Sequence, residues 1–201
     1  QMLRGYAVFA NGGFLVQPTL VRKIVKTKSD GTEEVLLDNT KPERLKQFPR
    51  IISRENVEKI KSAMKYTTKP GGTARRADVY GYSEAGKTGT ANKIVNGGYS
   101  DTLYVSSFIG FTPVDRPAFV LLVSIDEPEY GFIPGIGKRH HGGTCAAPVF
   151  REIAKRSLEY MGIAPDDPHG YPVGDPRYAP EKADWVEQTR QLKEIYEKWN
   201  N

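Results

Sequence analysis

The stretch Gly86-Lys87-Thr88-Gly89-Thr90-Ala91 decides the fold prediction for this sequence. An apparent strand, residues 79–82, comes before it, and a polar loop, residues 92–102, follows it. A stronger strand signal covers residues 104–111, where β-branched and aromatic side chains are bounded by Gly and Pro. We therefore predict that the Lys-Thr-Gly-Thr run lies on a strand of a sheet that also contains residues 104–111.

Side chains alternate between the two faces of a strand. On the predicted strand, Thr88 and Thr90 would face one way, and Lys87 and Gly89 would face the other. The two threonine hydroxyls would thus lie on one face of the strand, and the lysine charge on the other face.

The residues that follow predict the rest of the core. Residues 118–125 form a second apolar, β-branched run after a Pro-rich turn, which predicts an antiparallel neighbour for residues 104–111. Residues 146–161 carry apolar side chains at helical spacing and are followed by Gly162. The order of strands and helix predicts an α+β fold in which an antiparallel sheet is covered by helices.

The upstream part predicts smaller elements. Residues 2–10 are interpreted as the second half of a helix that ends at Asn11-Gly12-Gly13, and residues 20–37 as a small hairpin with a turn at 29–31. A further helix is predicted over residues 54–67, with Ser62 and Lys65 on its wetter side.

Composition excludes several classes of function. The 201 residues carry a net charge of +5, but the 29 basic residues are dispersed among 24 acidic ones without a basic stripe, so we do not expect a nucleic-acid partner. A single cysteine, Cys145, rules out an internal disulfide. No apolar run is long enough to cross a bilayer, and no pattern indicates a metal or other cofactor.

Several blocks of sequence, in one order, resemble the transpeptidase domain of class B penicillin-binding proteins over residues 1–165. Lys-Thr-Gly is one of three motifs of penicillin-binding proteins and class A β-lactamases, beside Ser-x-x-Lys and Ser-Asp-Asn. The blocks are residues 6–13 (YAVFANGG), 17–18 (QP), 72–74 (GTA), 86–91 (GKTGTA), 108–111 (FIGF) with Pro113, 126–128 (DEP) and 146–150 (AAPVF).

The resemblance implies a penicillin-binding protein/β-lactamase-like fold that is incomplete in these residues. It places the nucleophile motif, the Ser-x-Asn motif, the first strands of the sheet and most of the helical subdomain upstream of Gln1. The resemblance covers residues 1–165, as the carboxy-terminal portion of a transpeptidase domain. Residues 166–201 have no recognised counterpart in the family, and their composition predicts a Pro/Asp-rich linker followed by a charged tail helix. In that tail, an apolar stripe is expected at Trp185, Thr189 or Leu192, Tyr196 and Trp199.

The resemblance also implies roles for the Lys-Thr-Gly-Thr run. The backbone N–H of Thr90 would contribute to an oxyanion hole, and the hydroxyls of Thr88 and Thr90 would bind the terminal carboxylate of the substrate. Lys87 would hold the serine of the upstream Ser-x-Asn motif and supply positive charge, while Gly89 would permit close approach of the substrate. Tyr99 is a further candidate for lining the cleft.

The implied function is that of a serine D,D-transpeptidase that cross-links peptidoglycan stem peptides through an acyl-enzyme and binds penicillin. The expected partners are the amino-terminal part of the same protein, the stem peptides, β-lactam antibiotics, and proteins of the division or elongation machinery. The expected location is the extracytoplasmic face of the bacterial cell membrane, with an anchor in the upstream region. Residues 1–201 without the upstream region are predicted to be catalytically inactive.

Two alternatives stay open at the level of sequence. The protein could be a catalytically silent scaffold of the same fold, or a cysteine hydrolase that uses Cys145 with His140 or His141. Ser62-Ala63-Met64-Lys65 also matches the Ser-x-x-Lys pattern, and we interpret it as a chance match. A turn is favoured over a paired-carboxylate site for Asp126 and Glu127, because Pro128 follows them.

Overall fold

The computed structural model describes residues 1–167, 170–171 and 173–182, together with residues 187, 190, 191, 194 and 198. It divides into two compact units, Gln1–Glu58 and Lys59–Asn201. The tail stripe predicted at Trp185, Thr189 or Leu192, Tyr196 and Trp199 lies outside the described residues. In the described part of the chain, no helix is both long and apolar enough to cross a membrane.

The first unit begins with helix α1 (Met2–Ala10), which ends where it was predicted to end. Its last turn is closed by a bond from Gly13 N to the Val8 carbonyl oxygen, 2.7 Å long. Gly13 has φ +105°, and a Cβ there would lie 2.1 Å from the Ile52 carbonyl oxygen. This position therefore requires glycine for both its backbone conformation and its close packing.

The predicted small hairpin is confirmed. Strands β1 (Lys23–Thr27) and β2 (Glu33–Asp38) pair antiparallel. Their connection is fastened by the Asp30 carboxylate, which accepts bonds from the Thr32 N–H and hydroxyl. A short 3-10 helix follows at Pro42–Gln47.

Helix α2 (Arg54–Lys65) runs across the boundary between the units. Val57 is fully buried and Ser62 is exposed, as the spacing of apolar residues along this helix predicts. The expectation that Lys65 lies on the wet side is wrong, because Lys65 is buried. Apolar periodicity cannot locate a lysine that is buried with its polar contacts satisfied within the fold.

The second unit is built on a three-stranded antiparallel sheet in the order β3-β4-β5. The strands are β3 (Ala85–Val95), β4 (Gly98–Thr112) and β5 (Phe119–Asp126). A small ribbon, β6 (Phe132–Ile133) and β7 (Gly137–Lys138), precedes helix α3 (Gly142–Tyr160). Two further 3-10 helices lie at Arg75–Ala77 and Pro180–Lys182.

Two predictions for this unit are wrong. Residues 79–82 form a turn rather than a strand, with Gly81 at φ +87° and Tyr82 N bonded to the Val79 carbonyl oxygen. Residues 92–102 do not form a loop, because β3 and β4 continue to a two-residue turn at Asn96-Gly97. Both turn residues have positive φ, 51° and 83°, as a type I′ hairpin turn requires.

Helix α3 covers one face of the sheet and starts four residues before the predicted residue 146. Phe150 packs edge-on against Phe108 of β4, with ring centroids 4.8 Å apart. The core formed in this way contains Ala74, Ala77, Val79, Tyr82, Phe108, Val123, Ala146, Ala147, Phe150, Ala154 and Leu158. The helix and the sheet together therefore hold β3, with its Lys-Thr-Gly-Thr run, on a packed support.

Candidate active site

The Lys-Thr-Gly-Thr run lies on β3, opposite residues Ser106–Ile109 of β4. The two glycines of this stretch differ in how tightly they are packed inside the sheet. A Cβ on Gly86 would lie 2.4 Å from the Phe108 ring, and a Cβ on Gly89 would lie 2.5 Å from the Ser107 hydroxyl. A larger residue at Gly86 would push β3 away from β4, because its Cβ would also lie 2.8 Å from the Ile109 carbonyl oxygen, whereas the Ser107 hydroxyl opposite Gly89 can rotate away.

Lys87 is exposed, and its ammonium group contacts its neighbour on the strand. Its Nζ donates to the Thr88 carbonyl oxygen at 2.9 Å and lies 3.4 Å from the Thr88 hydroxyl. Its ammonium group is thus next to the Thr88 hydroxyl and open to solvent.

The hydroxyls of Thr88 and Thr90 contact two different neighbouring segments. The Thr88 hydroxyl lies 3.1 Å from the Thr73 hydroxyl, and the Thr90 hydroxyl accepts a bond of 3.1 Å from the N–H of Gly142. Thr73 stood in one of the resemblance blocks, but sequence reasoning did not assign it to the site. Its spacing from Thr88 gives no periodic signal by which sequence could have found it.

The start of α3 packs closely against β4 and the segment that contains Thr73. A Cβ on Gly142 would lie 2.2 Å from the Ser107 carbonyl oxygen, and one on Gly143 would lie 1.9 Å from the Thr73 carbonyl oxygen. Both glycines are therefore required for this approach, which places the helix start beside Thr88 and Thr90.

Arg76 compensates for a proline in α3. Pro148 has no N–H, so it cannot bond to the carbonyl oxygen of Thr144, four residues earlier in the helix. The Arg76 guanidinium donates to that oxygen instead, at 2.9 Å. This bond connects the 3-10 helix that follows Thr73 to the first turns of α3.

Tyr99 is not near the Lys-Thr-Gly-Thr run. It pairs with Ile94 close to the hairpin turn and is 78% exposed. Ile94 is four residues beyond Thr90, which corresponds to roughly 13 Å along an extended strand. The described residues therefore bring Lys87, Thr88, Gly89 and Thr90 together, and leave Tyr99 at a distance.

A segment that follows α2 fastens the beginning of β3. The Thr67 hydroxyl donates to the Gly86 carbonyl oxygen at 2.7 Å, and the Thr68 hydroxyl donates to the Glu84 carboxylate at 2.6 Å. The other carboxylate oxygen of Glu84 accepts a bond from the Val79 N–H, 3.0 Å long. Glu84, two residues before Gly86, and the carbonyl of Gly86 itself are thus fixed by hydrogen bonds that involve side chains.

A buried group of charges lies next to these bonds. Lys69 is 1% exposed, and its Nζ is 2.8 Å from Asp78, 3.1 Å from Glu84 and 3.9 Å from Asp167. Burial alone would lower the pKa of Lys69, but the surrounding carboxylates outweigh burial and raise it. Burial raises the pKa of Glu84 to about 7, against the opposing effect of Lys69.

His140 and Cys145 are packed as structural residues. The His140 ring is 2% exposed and stacks on Tyr104 and Tyr130, with ring centroids 4.4 Å and 4.7 Å away. Cys145 Sγ donates to the His141 carbonyl oxygen at 3.3 Å, and burial raises the pKa of its thiol. A half-buried thiol that is bonded to a backbone carbonyl and whose pKa is raised does not have the environment of a reactive cysteine.

Asp126 and Glu127 both contact Lys93, whose Nζ is 3.0 Å from the first carboxylate and 2.7 Å from the second. Glu127 has φ 51° directly after the end of β5.

Among the residues that the structure describes, no cluster of three or more His, Cys, Asp or Glu side chains could hold a metal ion.

Comparison with known proteins identifies the family. The model of the penicillin-binding protein transpeptidase domain matches residues 1–155. The chain belongs to this family. It is similar to the probable peptidoglycan D,D-transpeptidase PenA of Neisseria flavescens, with 32% identity over 168 residues, which are 84% of the chain and 36% of PenA. The chain thus spans about a third of the length of this relative.

Solved structures of penicillin-binding proteins share the fold. The transpeptidase domain of Burkholderia pseudomallei penicillin-binding protein 3 aligns with a TM-score of 0.59 and 28% identity, over 83% of the chain and 43% of that domain. Penicillin-binding protein 3 of Mycobacterium tuberculosis, in complex with ampicillin, aligns with a TM-score of 0.63 and 24% identity, over 88% of the chain and 36% of that protein. The predicted α+β, penicillin-binding protein-like fold and the class B family are confirmed.

Proposed function

We propose that this chain is the carboxy-terminal part of a serine D,D-transpeptidase that cross-links peptidoglycan stem peptides and binds penicillin. The observation that carries the proposal is the Lys-Thr-Gly-Thr run on β3, where the Thr88 and Thr90 hydroxyls lie beside Thr73 and the start of α3. The similarity to PenA and to a penicillin-binding protein that binds ampicillin supports it.

In the proposed reaction, a serine outside these 201 residues attacks the carbonyl between two D-alanines and releases the last one. The acyl-enzyme then passes to an amine of a neighbouring stem peptide. The Thr88 and Thr90 hydroxyls bind the terminal carboxylate, and Lys87 adds positive charge beside it. The N–H of Thr90 is one donor to the oxyanion that forms during attack.

The proposal includes the setting of the whole protein. Its amino-terminal part would supply the nucleophile motif, the Ser-x-Asn motif and a membrane anchor, which places the domain on the extracytoplasmic face of the bacterial cell membrane. Proteins of the division or elongation machinery would be its partners there. The packing of Cys145 and His140 gives no support to a cysteine hydrolase.

Labelling with a fluorescent penicillin tests the proposal. The protein with its upstream region should be labelled covalently and stoichiometrically, and residues 1–201 alone should not be labelled. A folded full-length protein that takes up no penicillin would refute the transpeptidase assignment and favour the silent scaffold. Labelling of residues 1–201 alone would place the nucleophile within them, with Ser62 the first residue to substitute.

Lys87→Ala tests the role of the strand within the labelled protein. Because Lys87 is exposed and its hydrogen bonds go to the adjacent residue Thr88, the free energy of unfolding should change by no more than about 0.5 kcal/mol. Acylation should slow by about 10²–10³, the usual cost of removing one preorganised electrostatic group. Lys93→Ala is the matched control, since it removes a lysine from the same strand. Wild-type acylation of a folded Lys87→Ala protein would contradict the proposed role.

A further inference from the structure

The residues after α3 contact the beginning of the site strand. The hydroxyl of Tyr82 donates to the Ile163 carbonyl oxygen at 2.8 Å, and the N–H of Asp167 donates to the Gly81 carbonyl oxygen at 3.0 Å. We call residues 163–167 the clasp. The match to the transpeptidase family ends at residue 155, so the clasp lies beyond the matched residues.

Asp166 makes the most specific contact of the clasp. Its carboxylate accepts a bond of 2.7 Å from the Ser83 N–H and a second bond from the Ser83 hydroxyl. Ser83 is buried and stands two residues before the first residue of β3. A carboxylate that accepts two bonds from one residue fixes both the position and the orientation of that residue.

Ser83 in turn fastens the far end of β4. Its carbonyl oxygen accepts a bond of 2.8 Å from the Thr112 hydroxyl, and its own hydroxyl oxygen accepts a bond of 2.8 Å from the Val114 N–H. Asp166 therefore holds Ser83, and Ser83 is itself hydrogen-bonded to the end of β4.

Asp167 reaches Glu84, the residue directly before β3, through Lys69. Asp167 is 5% exposed, and its carboxylate is 3.9 Å from Lys69 Nζ, which is 3.1 Å from Glu84. The clasp thus bonds to Ser83 directly and is linked to Glu84 through the buried ammonium group of Lys69. These are the two residues that precede Ala85 and the Lys-Thr-Gly-Thr run.

We propose that Asp166 and Asp167 are positioning residues that hold the start of β3, and hence Lys87–Thr90, in register with β4. As a statement about catalysis, this inference rests on the proposed function. Lys87 is four residues from Ser83, roughly 13 Å along an extended strand. The backbone is paired with β4 from Ala85 onward, so a shift at Ser83 is passed on to Lys87 through the first residues of a paired strand.

The test that does not depend on activity is amide hydrogen exchange in the full-length protein. Asp166→Ala leaves the N–H and hydroxyl of buried Ser83 without their carboxylate partner. Exchange of residues 85–90 should then become faster by at least about tenfold, equivalent to about 1.4 kcal/mol of lost protection. Glu152→Gln, which neutralises an exposed carboxylate on α3, is the matched control and should exchange as the wild type does.

Asp166→Asn keeps the measurement possible if Asp166→Ala does not fold. Its amide oxygen can still accept from the Ser83 N–H, so exchange of residues 85–90 should rise by a smaller factor, roughly threefold. Exchange of residues 85–90 at the wild-type rate in a folded Asp166→Ala protein, or in Asp166→Asn if only that variant folds, would overturn the inference.

Acylation by fluorescent penicillin tests the catalytic consequence. With the folded fraction matched at the assay temperature, Asp166→Ala should lower the second-order rate constant of acylation by about tenfold or more, and Asp166→Asn should restore most of it. An unchanged rate constant in Asp166→Ala would refute a positioning role in catalysis. If the wild type and Glu152→Gln are not acylated at all, the proposed function fails, and hydrogen exchange alone decides whether the clasp holds β3.

Discussion

Replacement of Glu84 by glutamine should remove a pH dependence of stability that this buried carboxylate creates. Glu84 is fully buried, and burial raises its pKa to about 7 from an ordinary value of 4.5. Between these two pH values the folded state holds a proton that the unfolded state has released. The stability that this proton provides is fully present below about pH 4.5 and is lost as the pH rises through about 7.

The size of the effect follows from the pH window. About two pH units of that window lie above pH 5. They correspond to a decrease of about 3 kcal/mol in the free energy of unfolding. This would change the Tm of a domain of about 150–250 residues by roughly 6–12 °C, and the larger domain of the full-length protein by roughly 3–6 °C. The wild type should therefore lose that much stability, relative to Glu84→Gln, when the pH is raised from 5 to 8.

The groups around Glu84 allow the glutamine to be accommodated. Lys69 and Asp78 are its charged neighbours, and the Thr68 hydroxyl and Val79 N–H are its hydrogen-bond donors. The amide of the substituted side chain can donate to the Thr68 hydroxyl, which can in turn donate to the Lys65 carbonyl oxygen, 3.0 Å away, while its carbonyl oxygen keeps the bond from the Val79 N–H. The amide nitrogen then replaces the oxygen that lies 3.1 Å from Lys69 Nζ, so we expect Glu84→Gln to fold with a loss of stability at pH 5, and the test compares the change in stability between pH 5 and pH 8.

The assay is thermal unfolding of the full-length protein between pH 5 and pH 8 at fixed ionic strength. Glu152→Gln, an exposed carboxylate on α3, is the control and should follow the wild type at every pH. Parallel Tm profiles for the wild type and Glu84→Gln would refute the reasoning, because they would show that Glu84 binds no additional proton in the folded state.

Three further substitutions test the packing around the site. Lys69→Met should lower stability by about 3–5 kcal/mol, because it leaves buried carboxylates without their counter-charge, and thermal unfolding at pH 7 measures this loss. Gly143→Ala should cost about 1–3 kcal/mol, since its Cβ would lie 1.9 Å from the Thr73 carbonyl oxygen. Gly98→Ala, which meets no atom within 4 Å, is the control for it, and equal Tm values for these two variants would contradict the close contact. Phe150→Ala should cost about 3–5 kcal/mol, because the ring is fully buried against the sheet, and a smaller loss in thermal unfolding would show that the core refills the space.

The sequence predicted those parts of the fold in which apolar residues repeat at a regular spacing. Strands β4 and β5 and most of helix α3 were predicted because one face of each packs into a common core. The outer half of the β3–β4 hairpin was missed because its residues are largely exposed on both faces, so no apolar alternation marks them as strand. The Asn96-Gly97 pair was the available signal, since it is a preferred type I′ turn.

The buried charges were not predictable from the same patterns. Lysine and glutamate are normally exposed, so periodicity assigns them to the surface. Lys65, Lys69 and Glu84 are nevertheless buried. The Lys69 group draws on residues from position 69 to position 167, and only the folded chain brings them together.

The candidate site also shows why a short motif did not reveal its supporting residues. Glycine weakens a strand because it adds backbone entropy to the unfolded chain and offers no side chain to pack. The Lys-Thr-Gly-Thr run has a glycine within it and another directly before it, yet its groups must keep a fixed geometry for the carboxylate binding that we propose. That geometry is provided by bonds from other segments: Thr67 to the Gly86 carbonyl, Thr73 to Thr88, and Gly142 to Thr90. The partners are separated by 19, 15 and 52 positions in sequence, so the motif identifies the chemistry while distant parts of the chain determine its precision.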